Sequence, residues 1–249
     1  MFNIVYSEFL KIKKSYLFII TLIASIFIPV IQCIQSLSNN YDGVSEVLRY
    51  ALMKGYRVNI EVVSFQFLYT VFLSLIAGYI YSREFTDKTA NIIYSYPISR
   101  TKIFIGKLIT LYIIIIFIYV IQFLAVYLTV YIAWNQLPPK NIIITDLKVN
   151  IYSALLQFLI MPIPILIGSI SKNIIFPVVY GILGAVSSSF MMFTGIYMQC
   201  SPFMLPALPI YYFHIGDPID FILTITNAVL TFTISMFLCI YYYNKLDIN

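Results

Sequence analysis

Long apolar runs, separated by short polar and charged segments, dominate the chain. Six runs carry no Asp, Glu, Lys or Arg and are long enough to cross a membrane, for which a helix needs about 20 apolar residues. They cover residues 15–41, 62–82, 108–139, 149–171, 173–216 and 221–244. The fifth is long enough to cross twice, but Pro202, Pro206 and Pro209 interrupt its second half, and proline breaks helices. We therefore predict one crossing there, followed by a broken, outward-facing or re-entrant segment.

The composition is typical of a membrane protein. Only 10% of the residues are charged, whereas soluble domains carry about 25%. We predict an all-α polytopic membrane protein with six transmembrane helices in a single domain that covers residues 1–249. The predicted spans are approximately 15–37, 62–82, 106–132, 150–171, 173–197 and 219–243. The first apolar run is too long for a cleavable signal peptide, so we interpret it as the first span.

The distribution of Lys and Arg predicts that both termini lie in the cytoplasm. With the N-terminus inside, ten of the 15 Lys and Arg residues fall on the inner side, as the positive-inside rule expects. The net charge of +5 then reflects membrane topology, and no nucleic-acid partner is implied. Cys33 and Cys200 both fall near the predicted outer face. A disulfide between them fits the sequence, but free thiols are the simpler interpretation.

Motifs for catalysis and metal binding are missing from the sequence. No G-x-x-x-x-G-K-[ST] loop occurs, so we expect no nucleotide hydrolysis by this chain. His214 has no partner at a metal-binding spacing, and we interpret it as an interfacial polar residue. The predicted spans carry no ionisable residue in their interiors, which argues against an ion-driven carrier. We predict no catalytic residue, no metal and no cofactor here, and an energy source in another chain.

An amphipathic helix is predicted at residues 2–14. Its apolar face has spacings of three and four residues and consists of Phe2, Val5, Phe9 and Ile12. Such a helix, with lysines on its other side, suits the inner membrane surface and would form an elbow before the first span. The alternative is a basic flank that only sets topology.

A charged segment at residues 83–107 separates two of the most apolar runs, on the predicted cytoplasmic side. Helical spacing places apolar and polar residues on opposite faces, and Pro97 ends this helix. Ser99 is then a candidate N-cap for a helix that enters the third span. A polar surface helix on a protein without an energy source fits a docking site for a soluble motor. The alternative is a solvated loop. The candidate coupling residues are Arg83, Glu84, Phe85, Asp87, Lys88, Thr89, Ile92, Pro97, Ser99, Arg100 and Lys107.

These features resemble the permease subunits of ABC-2 type ATP-binding-cassette exporters. In that family an acidic residue follows span two, then a Gly/Lys-Thr pair, an apolar stretch, an "sP-[ILV]-s-R" motif and a "GK" pair. This sequence has Glu84, DKT at 87–89, NIIYSYPISR at 91–100 and GK at 106–107. Lys88 stands where a Gly is common. The N-terminal SEFLKIKKS resembles the elbow of these permeases, and the proline-rich segment resembles their extracellular re-entrant hairpin.

The chain length and the general pattern of the sequence are similar to those of the small permeases that protect bacteria against lantibiotics and bacitracin. The resemblance implies a bacterial plasma-membrane permease that exports an amphipathic substrate, such as a peptide antibiotic. It also implies two ATPase subunits, which bind ATP and Mg²⁺, and a second permease chain, identical or related. The charged segment would be the coupling helix.

Two alternatives remain open for the function. One is an ABC-2 exporter of another cargo, such as another drug, an envelope polymer or a sodium-type efflux substrate. The other is a membrane scaffold or sensor partner that does not transport. A membrane enzyme is disfavoured, because the sequence offers no paired carboxylates and no nucleophile set.

Overall fold

Every regular element in the computed structural model is helical within the residues that it describes, 2–39, 45–90 and 97–245. The helices are α1 (Phe2–Lys13), α2 (Leu17–Leu37), α3 (Glu46–Val62), α4 (Tyr69–Thr86), α5 (Arg100–Trp134), α6 (Lys140–Ile160), α7 (Pro162–Ser171), α8 (Ile175–Met191) and α9 (Phe221–Lys245). A π-helical turn joins α3 to α4 without a loop, at Val63–Leu68. Short helical pieces connect α8 to α9, at Met192–Cys200, Pro202–Met204, Leu208–Ile210 and Tyr211–Ile215.

Six helical stretches are long and apolar enough to cross a membrane. They cover Leu17–Leu37, Glu46–Thr86, Arg100–Trp134, Lys140–Ser171, Ile175–Cys200 and Phe221–Lys245. The prediction of an all-α polytopic membrane protein with six spanning helices is therefore confirmed. The second stretch is much longer than the predicted span at 62–82. Its additional turns carry Arg57 and Glu61, whose charged side chains are buried within the protein.

The long helix formed by α3, the π turn and α4 lies at the centre of the bundle. Its buried rings pack on α5, where the centroid of Tyr119 lies 4.8 Å from that of Phe65 and 5.1 Å from that of Tyr69. On the other side α8 approaches so closely that a Cβ atom at Gly181 would lie 2.8 Å from the carbonyl oxygen of Thr70. Small residues permit such contact between helices in lipid. The glycine therefore serves packing within one subunit.

The two ends of the bundle hold different segments. At one end Thr101 Oγ1 donates a hydrogen bond to Asn244 Oδ1 (3.1 Å), which joins the start of α5 to the end of α9. Helix α1 also lies here, and we call this end the elbow side. The opposite end holds residues 192–220, and we call it the hairpin side. Between Glu61 and Glu84 the helix advances about 35 Å at 1.5 Å per residue, close to the thickness of a bilayer core.

Helix α1 is amphipathic, and its packing face includes part of the predicted apolar face. Glu8 and Ile12 are its buried residues. Phe2 and Phe9 are exposed, and Val5 is only half-buried. The packing face therefore shares Ile12 and Val5 with the predicted apolar face, while Phe2 and Phe9 are free to contact lipid. Burial of Glu8 was not predicted, and it is explained by the ion pairs described below.

The segment between α8 and α9 is broken, as its prolines predict, and it folds back into the protein. Pro206 and Pro209 are buried and Pro202 is half-buried. Ala207 has no exposed surface at all. The fully buried Gln199 fixes the return of the chain, because its Oε1 accepts a hydrogen bond from the backbone N–H of Asp220 (2.8 Å). The segment is thus a re-entrant hairpin whose central part is not open to solvent.

The three cysteines form no disulfide in the structure. Cys33 and Cys239 are buried free thiols, and Cys200 is an exposed one. The fold therefore supports the simpler interpretation, in which the cysteines are free thiols.

Candidate functional site

Four charged side chains meet on the elbow side, where α1, α4 and α5 converge. Glu84 Oε2 lies 2.8 Å from Lys107 Nζ, and Glu84 Oε1 lies 3.5 Å from Lys11 Nζ. Lys11 Nζ lies 2.5 Å from Glu8 Oε1. Two carboxylates thus face two ammonium groups. We call Glu8, Lys11, Glu84 and Lys107 the elbow-side cluster.

The pair at the centre of this cluster is buried, with 4% of Glu84 and none of Lys107 exposed. A buried ammonium needs compensating partners. Lys107 Nζ also donates a hydrogen bond to the carbonyl oxygen of Ile80 (3.1 Å). The expected placement of Glu84 and Lys107 on an exposed docking face is wrong, because each serves as the counter-ion of the other. Any role of this pair in coupling would act through the packing of three helices.

Helix α4 ends in a Schellman motif just beyond this pair. The backbone N–H of Thr89 donates to the carbonyl oxygen of Glu84 (2.9 Å), and that of Lys88 donates to the carbonyl oxygen of Phe85 (3.2 Å). Lys88 has a φ of +56°, a conformation that favours glycine at this position of the motif. The amphipathic helix therefore does not begin near Arg83 as predicted. Residues up to Thr86 continue the second span, and the chain turns sharply after them.

The predicted coupling residues that are open to solvent lie around this turn and at the start of α5. Asp87, Lys88, Pro97 and Ser99 are exposed. The half-buried ones are Arg83, Phe85, Thr89 and Arg100. Ile92 lies outside the described residues. Ser99 is the N-cap residue of α5 by position, as predicted, but its side chain makes no capping hydrogen bond. A polar cavity of about 280 Å³ adjoins the turn and is lined by Lys11, Arg83, Glu84, Asp87 and Thr89.

A second charged cluster lies on the hairpin side, and sequence analysis missed it. Arg57 Nη1 pairs with Asp146 Oδ2. His214 Nε2 lies 3.2 Å from Glu61 Oε2 and 3.4 Å from Asp146 Oδ1. We call Arg57, Glu61, Asp146 and His214 the hairpin-side cluster. Only 5% of the His214 side chain is exposed, so the histidine lies in a buried ionic site, which its interpretation as an interfacial polar residue did not predict.

Neighbouring polar groups hold the two carboxylates of the hairpin-side cluster in place. The hydroxyl of Tyr127 donates to Asp146 Oδ2 (2.5 Å), and Asn150 Nδ2 donates to Glu61 Oε1 (3.3 Å). One signal in the sequence points to this cluster. Arg57 and Glu61 are one helical turn apart, so both lie on the same face of α3. Nothing in the sequence pairs that face with Asp146 or with the hairpin.

The π-helical turn connects the long helix to both α8 and the hairpin. Gln66, which is fully buried, donates from Nε2 to the carbonyl oxygen of Ser188 (3.0 Å). The hydroxyl of Tyr211 donates to Gln66 Oε1 (3.3 Å). Burial raises the pKa of the Tyr211 phenol, so this hydroxyl stays protonated as a donor. Such π-helical turns are frequent at functional sites. This one attaches the hairpin to the long helix through Gln66, in addition to the contact between Glu61 and His214.

An apolar groove of about 340 Å³ runs between α5 and α6. Its wall includes the aromatic side chains of Tyr119, Phe123 and Phe158. Asn150, which contacts the hairpin-side cluster, also lines it. The groove therefore joins an apolar surface of the bundle to a polar site in its interior.

Comparison with known proteins gives one match. A family model described as an ABC-2 family transporter protein matches residues 4–188, which is most of the chain. No curated protein and no solved structure matches the chain significantly.

Proposed function

This chain belongs to the ABC-2 family of transporter proteins, and on that premise we propose that a separate ATPase drives it by docking on the elbow side. Membership of the family makes the chain the membrane-spanning permease of an ABC exporter. The elbow side would then face the cytoplasm of a bacterium. Two ATPase subunits and a second permease chain would complete the assembly.

The observation that carries this proposal is the turn after α4. Asp87 and Lys88 are exposed on it, while Glu84, three residues before Asp87, forms a buried ion pair with Lys107 of α5 and a partly exposed one with Lys11 of α1. A soluble partner that binds the turn would therefore contact the end of α4, which these ion pairs hold rigidly. Force applied there would reach α1, α4 and α5 together.

Co-purification of an ATPase with surface variants tests the docking proposal. Lys88→Glu reverses an exposed charge on the turn, and we expect it to reduce the amount of ATPase that co-purifies in mild detergent. The matched control is Lys140→Glu, which reverses an exposed lysine at the start of α6, on the hairpin side. Equal ATPase recovery from both variants, at equal membrane insertion, would count against docking at this turn.

Cysteine labelling tests the proposed orientation. In a variant without native cysteines, Ile215→Cys places a thiol at an exposed hairpin position. An impermeant reagent should label it in intact cells, whereas Lys88→Cys should react only after lysis. Ala207→Cys serves as the buried control and should stay unlabelled, because Ala207 has no exposed surface. The reverse pattern for positions 215 and 88 would invert the topology.

For the cargo, we propose an amphipathic peptide antibiotic such as a lantibiotic or bacitracin. The support is the chain length and sequence pattern, which resemble those of small immunity permeases, and the apolar groove between α5 and α6, since an amphipathic cargo can enter such a groove from lipid. Expressing the chain with its ATPase should raise the concentration of antibiotic that a sensitive strain tolerates. Unchanged tolerance to both antibiotic classes, with an assembled complex in the membrane, would point to a different cargo.

A further inference from the structure

The hairpin-side cluster contains three buried donor atoms that point at one another. Glu61 Oε2, Asp146 Oδ1 and His214 Nε2 all lie within 4.8 Å of one another. Apart from the contacts of His214 with the two carboxylates, none of the three atoms has a hydrogen-bond partner within the described residues. Leaving buried polar atoms unsatisfied costs stability, so their convergence calls for a ligand.

Two of the three separations between these atoms match a tetrahedral metal site. Zinc binds histidine nitrogen and carboxylate oxygen at about 2.0–2.1 Å, and tetrahedral angles then put neighbouring ligand atoms about 3.3–3.4 Å apart. His214 Nε2 lies 3.2 Å from Glu61 Oε2 and 3.4 Å from Asp146 Oδ1. A nitrogen and two carboxylate oxygens are an ordinary ligand set for a divalent transition metal.

Each carboxylate is also oriented as a metal ligand would be. Asp146 uses Oδ2 for Arg57 and Tyr127, and leaves Oδ1 toward the centre. Glu61 uses Oε1 for Asn150, and leaves Oε2 toward the centre. Outer contacts of this kind fix the orientation of the side chains that bind the metal in metal sites.

We propose that Glu61, Asp146 and His214 bind a divalent transition-metal ion, with Zn²⁺ as the best fit. The ligands come from α3, α6 and the hairpin, so the ion ties the re-entrant segment to the second and fourth spans. Three protein ligands leave a fourth position for water. The competing account is a protonated imidazole that is shared by the two carboxylates at 3.2 and 3.4 Å. That account predicts no zinc binding, so metal titration decides between the two.

Metal titration of the full chain tests the proposal. The protein is purified in detergent without a histidine tag and stripped with a chelator, and Zn²⁺ is then added back. We expect one zinc ion per chain by elemental analysis and a rise of several degrees in Tm. Because His214 is the sole histidine of the sequence, Co²⁺ bound to wild-type protein should show a single coordinated imidazole in its spectra.

Variants separate the site from adventitious binding. Glu61→Gln keeps the shape of the side chain and should weaken Zn²⁺ binding by at least about tenfold, as should His214→Ala. Asp217→Asn is the matched control, since it changes a carboxylate of the same hairpin outside the cluster. Zinc that fails to bind or to raise Tm in wild-type protein would overturn the proposal. Equal zinc affinity in the Glu61→Gln and Asp217→Asn variants would do so as well.

Discussion

The two charged clusters share the long helix from Glu46 to Thr86, but they satisfy their charges differently. On the elbow side, two carboxylates meet two ammonium groups. On the hairpin side, two carboxylates meet one guanidinium and the imidazole of His214. The charges of the elbow-side cluster are balanced by the chain itself. The charges of the hairpin-side cluster are balanced only when a cation or a proton is added. A buried ionic site whose charges are balanced can thus hold helices together, whereas one whose charges are not balanced can bind a ligand.

The largest effect is expected when the buried ion pair between Glu84 and Lys107 is broken. Glu84→Gln leaves the ammonium of Lys107 buried without its carboxylate, and we expect a loss of about 3 kcal/mol or more in the free energy of unfolding. The control is Asp87→Asn, which breaks the Arg83–Asp87 pair, in which half of the Asp87 side chain is exposed. Exposed pairs contribute about 1 kcal/mol or less. Thermal unfolding in detergent measures both variants, and similar losses would show that Glu84 is not a buried tie.

A smaller effect is expected at the periphery of the hairpin-side cluster. Tyr127→Phe removes the hydroxyl that donates to Asp146 Oδ2, without touching the three proposed ligands. We expect Zn²⁺ affinity to fall about tenfold, with little change in the unfolding temperature of metal-free protein. Calorimetric titration measures the affinity. An unchanged affinity would mean that this hydroxyl does not orient Asp146 for a metal.

The smallest effect concerns the turn that follows the elbow-side cluster. Lys88→Gly should stabilise the protein by about 1 kcal/mol, because glycine adopts the left-handed conformation of this residue without steric cost. The control is Lys102→Gly, an exposed position inside α5, where glycine should cost about 1 kcal/mol. Chemical unfolding of both variants measures the two signs. A loss of stability at both positions would contradict the Schellman ending of α4.

Much of the fold follows from the sequence, because the bilayer imposes a simple rule. Apolar runs of sufficient length gave all six spans, and clustered prolines gave the broken hairpin. The extent of the second span did not follow. Arg57 and Glu61 look like loop residues when charge-free runs are counted, and only partners on other helices allow them to be buried. The predicted spans have no ionisable residue in their interiors, as expected. The second, third and fourth helical stretches of the structure are longer than the predicted spans, and they do contain ionisable residues.

The candidate site was predictable only in part. The N-cap position of Ser99 follows from a local signal, whereas the turn at Asp87 and Lys88 does not, because the sequence predicted a helix through these residues. The pairing of Glu84 with Lys107 does not, since both residues read as part of a polar surface. Asp146 and His214 lie 68 positions apart in the sequence, and no local pattern connects them. Their proximity is a product of the re-entrant hairpin, whose path depends on packing against several helices.

The unbroken course of the chain from Glu46 to Thr86 has a mechanical consequence. Forty-one helical residues make a rod of about 60 Å, with the π-helical turn near its middle as a fulcrum. A tilt of about 5° about that point would move each end by about 2.6 Å on such a rod, more than a coordination bond tolerates. A ligand that favours one tilt at its own end would therefore change the affinity for a ligand at the other end. By linkage, the same coupling free energy acts in both directions.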